Sequence, residues 1–197
     1  MKPNKSKLVA VSYDTAILND LSCYFMADSI ALGQITPDDF LKKEPTGNNE
    51  FFINLVTKDF ELRQRVSEKI NDVGYQRFTF VHKSSCIEGA DISDGVFVYP
   101  NVTVYPSASV SSDVIIQSNS RISHYASVGC GTFIGGLVNI SGSSSIGNYC
   151  KIYPSTNIVD KISIADNTII GTGSTIKKSI WKPGTYTKLS DKIKKIN

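Results

Sequence analysis

From Ile92 onward every sixth residue is Ile or Val: Ile92, Val98, Val104, Val110, Ile116, Ile122, Val128, Ile134, Ile140, Ile146, Ile152, Ile158, Ile164, Ile170 and Ile176, fifteen positions without a slip in phase. Two residues before each stands a second consistent class, small or β-branched in nearly every case, from Ala90, Val96 and Val102 through Ser120, Thr132 and Cys150 to Thr168 and Ser174. An α-helix turns every 3.6 residues and would scatter such a series around its surface. Short strands whose alternate residues face one side, separated by turns at a fixed interval, keep it on one side. The pattern therefore predicts a parallel β-solenoid, with β-branched residues filling the axis and each coil hydrogen-bonded to the next.

Residues 1–80 follow a different rhythm. "KLVAVSY" reads as a short buried strand, "DTAILNDLSCYFMAD" as a helix and "NEFFINLV" as a second strand. "TKDFELRQRVSEKINDVG" places apolar and charged residues at helical spacing, with Gly74 as its C-cap. "RFTFVH" reads as a third strand leading into the solenoid, and "TPDDF" and "KKEPTGNN" as loops. Strands alternating with helices predict a small parallel α/β domain. The expected organisation is an α/β domain over residues 1–80, an all-β solenoid over 81–180 and a tail over 181–197.

Composition narrows the function classes. The chain has 197 residues, 41% of them hydrophobic and 20% charged, which excludes a disordered or collagen-like protein. The net charge of +3 is slight and comes largely from "KLSDKIKKIN", a solvated end rather than a nucleic-acid site. Cys23, Cys86, Cys130 and Cys150 form no CxxC pair, so neither a zinc site nor a disulfide framework is expected. No apolar run approaches the roughly 20 residues of a membrane helix, and "MKPNKSKLVAVSYD" carries no leader-like segment. These observations predict a cytoplasmic protein with no membrane span.

The hexads resemble the hexapeptide-repeat acyltransferases, a family whose left-handed β-helix has three hexapeptides, or 18 residues, per coil. The resemblance implies a triangular section, a left hand and five coils. It also gives meaning to His124 in "SRISHYASVG", one of only two histidines in the chain. With 18 residues per coil His124 stacks over Gly142 in the next coil and beside Pro106 in the previous one. Glycine leaves open space at the imidazole edge, and its backbone can approach a ligand closely. An imidazole titrating near pH 6.5 suits proton abstraction at neutral pH.

The nearer resemblance is to the branch of sugar N-acetyltransferases that modify nucleotide-linked amino sugars for bacterial glycans, the bacillosamine-pathway enzyme among them. They too have an α/β nucleotide-sugar domain followed by a left-handed β-helix. "FVHKSSCIEGADI", "SRISHYASVG" and "ISIADNTIIGTGSTIKKS" carry the likeness. It implies that His124 is the general base for a sugar amine attacking the acetyl-CoA thioester directly, with the Gly142 N–H donating to the carbonyl oxygen as it gains charge. In the family the cofactor lies between neighbouring subunits of a homotrimer. Thr172 and Gly173 then contact pantetheine through backbone groups, and Lys177 and Lys178 meet CoA phosphates. Ser12, Tyr13 and Asp14, after the first strand, fall where the family binds its nucleotide sugar.

Three departures from the family pattern stand out. Tyr125 replaces the glutamate that often follows the histidine; it is a catalytic candidate whose phenol can still hydrogen-bond, though it supplies no negative charge to stabilise an imidazolium. Ser12–Thr15 replaces a glycine-rich turn that lets phosphate approach backbone N–H groups, and Asp14 favours a base or sugar hydroxyl over a pyrophosphate. "GTYTKLSDK" replaces a Gly-Pro-Ala segment near the CoA adenine, a contact that Tyr186 or Lys188 would have to rebuild. Alternative functions are O-acetyl transfer to a sugar hydroxyl and a catalytically silent scaffold. His82 is expected to cap or pack, Cys130 to lie on a face away from His124, and Cys150 to belong to the core.

Overall fold

The structure, a computed structural model, describes residues 7–14, 31–44, 50–57, 59–189 and 192–196. The chain divides into two compact units, Met1–Thr79 and Phe80–Asn197.

The first unit contains β1 (Lys7–Val11), β2 (Ala31–Ile35), α1 (Pro37–Lys42), β3 (Glu50–Asn54), α2 (Phe60–Val73) and β4 (Gln76–Arg77). Its sheet is parallel, in the order β2-β1-β3-β4. The core is built from Val9, Val11, Phe40, Phe52, Val66 and Ile70. α2 begins where Asp59 accepts the Leu62 N–H at 3.0 Å and ends where Gly74 turns left-handed at φ 73°. The expected "TPDDF" loop is instead α1: Thr36 accepts the Asp39 N–H and Pro37 occupies the first turn, a helix start hidden by polar composition. "RFTFVH" is not one strand. Gln76–Arg77 completes the α/β sheet, while Phe80–Val81, β5, pairs with the solenoid, so the boundary between units runs through it. β2 carries too few alternating apolar residues to be read from sequence. The helix expected over 14–28 lies outside the described residues beyond Asp14, as do residues 45–49 of the second loop.

The second unit closes one coil every 18 residues: Ile116 pairs with Ile134 on one face, Ile122 with Ile140 on the next and Val128 with Ile146 on the third. The Ile and Val positions point inward and form one continuous column, each fully buried side chain contributing about 1.5–3 kcal/mol relative to exposure. Hydroxyls in the second column are buried without penalty because each bridges backbone of neighbouring coils. Thr132 donates to the Gly147 carbonyl and accepts from the Cys150 N–H; Ser120 and Ser144 do the same one face away. Cys150 is core, its thiol pushed up to about 11 chiefly by burial.

The solenoid extends past the regular repeat at both ends. Val81 pairs with Val98 across a shortened coil, and this slip hides the first coil from a strict count of six. At the far end Gly184–Leu189 pairs with Thr168–Ile170, and Lys192–Ile196 folds back antiparallel on it. Residues expected as a tail therefore continue the first face.

Every corner turns through a residue with positive φ, from Gly89 to Gly173 at intervals of six. Most are Gly, Asn, Asp or Ser, but Tyr125, Leu137, Tyr149 and Lys161 are bulky side chains held in a conformation that L-residues disfavour. Leu137 is also 61% exposed, so it recovers little by burial. Leu137→Asn is expected to stabilise the protein by about 1 kcal/mol, seen as a higher urea midpoint with an unchanged m-value.

Candidate functional site

The corner that carries His124 is a turn from Ser123 to Ala126, closed by the Ala126 N–H donating to the Ser123 carbonyl at 3.1 Å. Tyr125 takes the positive-φ position at 57°. Its neighbour His124 is directed along the corner with an exposed imidazole. The adjacent rung is Gly142, tied to this one by the Ser143 N–H donating to the His124 carbonyl at 3.0 Å. A Cβ added to Gly142 would meet His124 Nε2 at 3.0 Å, so the ring lies over the bare backbone of the next coil with Nε2 foremost. His124 makes no side-chain hydrogen bond among the described residues.

Two expected partners behave differently from the sequence reading. The Gly142 N–H donates to Asp160 Oδ1 at 3.1 Å, so the donor assigned to the acyl oxygen is already engaged within the chain. Tyr125 meets the imidazole edge to face, ring centroids 5.6 Å apart, and no hydrogen bond joins the two among the described residues. Its phenol packs beside the imidazole rather than hydrogen-bonding to it. Asp160 went unnoticed in the sequence although it follows Gly142 by one 18-residue coil; the register identifies it once the coil length is known.

Lys178 stands on this same corner, one rung beyond Asp160, and Lys177 precedes it; both are exposed. Thr172 and Gly173 stand on another corner, above Pro154, Gly136 and Ser118, with the Gly173 N–H given to Pro154 O at 2.9 Å. One chain does not bring them to His124. Tyr186 packs against the solenoid core and donates its hydroxyl to Lys182 O, which engages the ring expected to rebuild the tail contact. Ser190 and Asp191 lie outside the described residues. His82 accepts from the Ser84 N–H and pairs with its hydroxyl through Nδ1, a local cap. Cys130 stands on a third corner, its N–H held by Asn148.

The α/β unit has its own cavity. Ser12, Tyr13 and Asp14 come together with Leu55, Val56 and Asp59 around a volume of about 240 Å³ at the carboxyl ends of β1 and β3. The chain leaves β1 toward β2 on one side and β3 lies on the other, which makes this the switch point of the sheet, where open α/β sheets bind ligands. Ser12 is buried and fixed, its carbonyl accepting from Gln34 and its hydroxyl from the Asp14 N–H. Tyr13 donates its hydroxyl to Asp38, which pushes the phenol pKa up. Arg63, a residue that sequence periodicity did not single out, is buried behind the strand ends and donates to Asn54 O and Val56 O at 2.9 and 2.8 Å. It fixes the loop that lines the cavity. No helix among the described residues is long and apolar enough to cross a membrane.

Residues 143–178 match the family described as bacterial transferase hexapeptide (six repeats). The chain is 34% identical over 74 residues to UDP-3-O-acylglucosamine N-acyltransferase from Janthinobacterium sp. (strain Marseille), covering 38% of this chain and 21% of that protein. Against the protein of the same name from Cupriavidus metallidurans it is 41% identical over 71 residues, covering 36% and 19%. The matched stretch thus spans about a fifth of the length of these curated relatives. PerB from Caulobacter crescentus, solved in complex with CoA and GDP-perosamine, is similar with a TM-score of 0.82 at 16% identity over 95% of this chain and 97% of that one. The acetyltransferase domain of PglB from Neisseria gonorrhoeae, solved with acetyl coenzyme A, gives 0.79 at 14% identity over 98% and 100%. These likenesses show the fold: an α/β domain followed by a left-handed parallel β-helix of hexapeptide repeats.

The contact between imidazole and bare rung gives a direct test. Gly142 has an ordinary φ, so alanine fits its backbone, but the new methyl must push His124 aside. In Gly142→Ala the ring-proton resonance of His124 is expected to move while that of His82 stays in place, with a change in stability of less than about 1 kcal/mol.

Proposed function

We propose that this protein is an acetyl-CoA-dependent N-acetyltransferase acting on a nucleotide-linked amino sugar for bacterial surface glycan synthesis, with His124 as general base. The observation that carries the reading is the exposed imidazole whose Nε2 leads over the bare backbone of Gly142, a position that any larger residue at 142 would crowd. The complexes of PerB with CoA and GDP-perosamine, and of the PglB domain with acetyl coenzyme A, on the same fold point to the same two substrates.

Transfer is direct. The acceptor amine attacks the thioester carbonyl while His124 Nε2 takes its proton, and the rate gain comes mainly from holding the two substrates in reacting geometry. While Asp160 holds the Gly142 N–H, that group is not available to the developing oxyanion. Thr172 and Gly173, on a different corner from His124, serve the cofactor from a neighbouring subunit of a homotrimer, with Lys177 and Lys178 as point charges for CoA phosphates. Ser12, Tyr13 and Asp14 receive the nucleotide at the sheet's switch point.

Incubation with acetyl-CoA and a panel of UDP-, GDP- and dTDP-linked amino sugars, read by mass spectrometry, is expected to show the gain of one acetyl group on one of them. His124→Ala is expected to lower kcat by about 10²–10⁴-fold. A wild-type protein that acetylates none of the panel and shows no melting shift with CoA contradicts the reading in favour of a silent scaffold.

A further inference from the structure

On the coil beyond Gly142 the corner of His124 holds an acidic group whose position the acetyl-transfer reading leaves unexplained. Asp160 lies on the far side of the Gly142 rung, its Oδ1 accepting the Gly142 N–H at 3.1 Å. His124 Nε2 stands 3.0 Å from the point where a Gly142 Cβ would be. The imidazole and the Asp160 carboxylate therefore both stand against Gly142, one at its bare Cα and the other at its N–H. Asp160 is exposed, and no lysine, arginine or histidine of the described residues stands within ion-pair distance of it. Lys161 follows it in sequence and Lys178 is one rung along, yet neither pairs with it, and the Arg121 guanidinium is turned to Asn139 Oδ1 at 2.8 Å. Tyr125, beside the base, brings no charge. The exposed carboxylate thus stands beside Gly142 with one backbone hydrogen bond and no cation.

We infer that Asp160 is a specificity-determining residue that receives the acceptor as its ammonium form, so that the site takes an amine and discriminates against a hydroxyl. The inference rests on the proposed acetyl transfer. Alkyl amines are largely protonated at neutral pH, and a carboxylate binds an ammonium by a charge-assisted hydrogen bond that an alcohol does not match. The ammonium gives one proton to His124, which passes it to solvent, leaving a neutral amine. The amine nitrogen then bonds to the thioester carbonyl carbon and the C–S bond breaks. The second proton lost by nitrogen travels through His124 to the departing thiolate, so that amide, thiol and one proton are the products.

Asp160→Asn keeps an oxygen for the Gly142 N–H and removes only the charge, so its fold and melting temperature are expected to match the wild type. With acetyl-CoA and the amino sugar that the wild type acetylates, KM for the sugar is expected to rise about tenfold with kcat and KM for acetyl-CoA little changed. The corresponding hydroxyl sugar nucleotide is expected to be a poor acceptor for both proteins, and titration calorimetry without acetyl-CoA is expected to show the same loss of affinity for the amine alone. An Asp160→Asn variant with wild-type KM for the amine, or a wild type that acetylates the hydroxyl equally well, overturns the inference and leaves acetyl transfer standing. A wild type that transfers acetyl to no acceptor overturns the proposed function and this inference with it.

Discussion

Parallel backbone pairing between residues one coil apart is the constraint from which the rest of the molecule follows. Each strand of the regular solenoid is only two or three residues long, and none would persist alone. Stacking gives every strand inside the solenoid a partner before and behind it, at the roughly 4.8 Å spacing of neighbouring strands. Buried Ile and Val fix the phase, because a slip of one residue would turn the whole column outward. The hydroxyls of Ser120, Thr132 and Ser144 reinforce it, each donating to a carbonyl of the next coil and accepting an N–H from that same coil.

Once the phase is fixed, so is the membership of each corner. His124, Gly142, Asp160 and Lys178 share a corner because they are spaced by whole coils, and their neighbourhood needs no tertiary loop to create it. The corner turn also needs a positive φ, and the side chains held there at Tyr125 and Leu137 project to solvent. Rigid rungs hold His124, Gly142 and Asp160 in fixed order along one corner, which is the preorganisation that the proposed positioning catalysis requires.

The regular solenoid and the place of His124 were legible because a period of six survives without interruption from Ile92 to Ile176. The shortened first coil was not, since Val81 pairs with Val98 out of phase with the repeat, nor was the role of Gly184–Leu189, whose pairing depends on a similarly shortened coil. α1 escaped because its signal is a cap, Thr36 with Pro37, rather than an apolar stripe. At the site, adjacency could be computed from coil length, which gave Gly142. Hydrogen-bond commitment could not, which is why the Gly142 N–H was assigned to an acyl oxygen while Asp160 holds it. Ser12, Tyr13 and Asp14 were placed by their position after a strand, but the other wall of their cavity comes from the residues following β3, which no local pattern joins to them.

The proposed acetyl transfer at the His124 corner, beside the bare rung of Gly142, is decided by a crystal structure of the protein with CoA bound. The pantetheine sulfur is expected beside His124 Nε2; a sulfur seated on either of the other two corners of the solenoid, away from the imidazole, rules the proposal out.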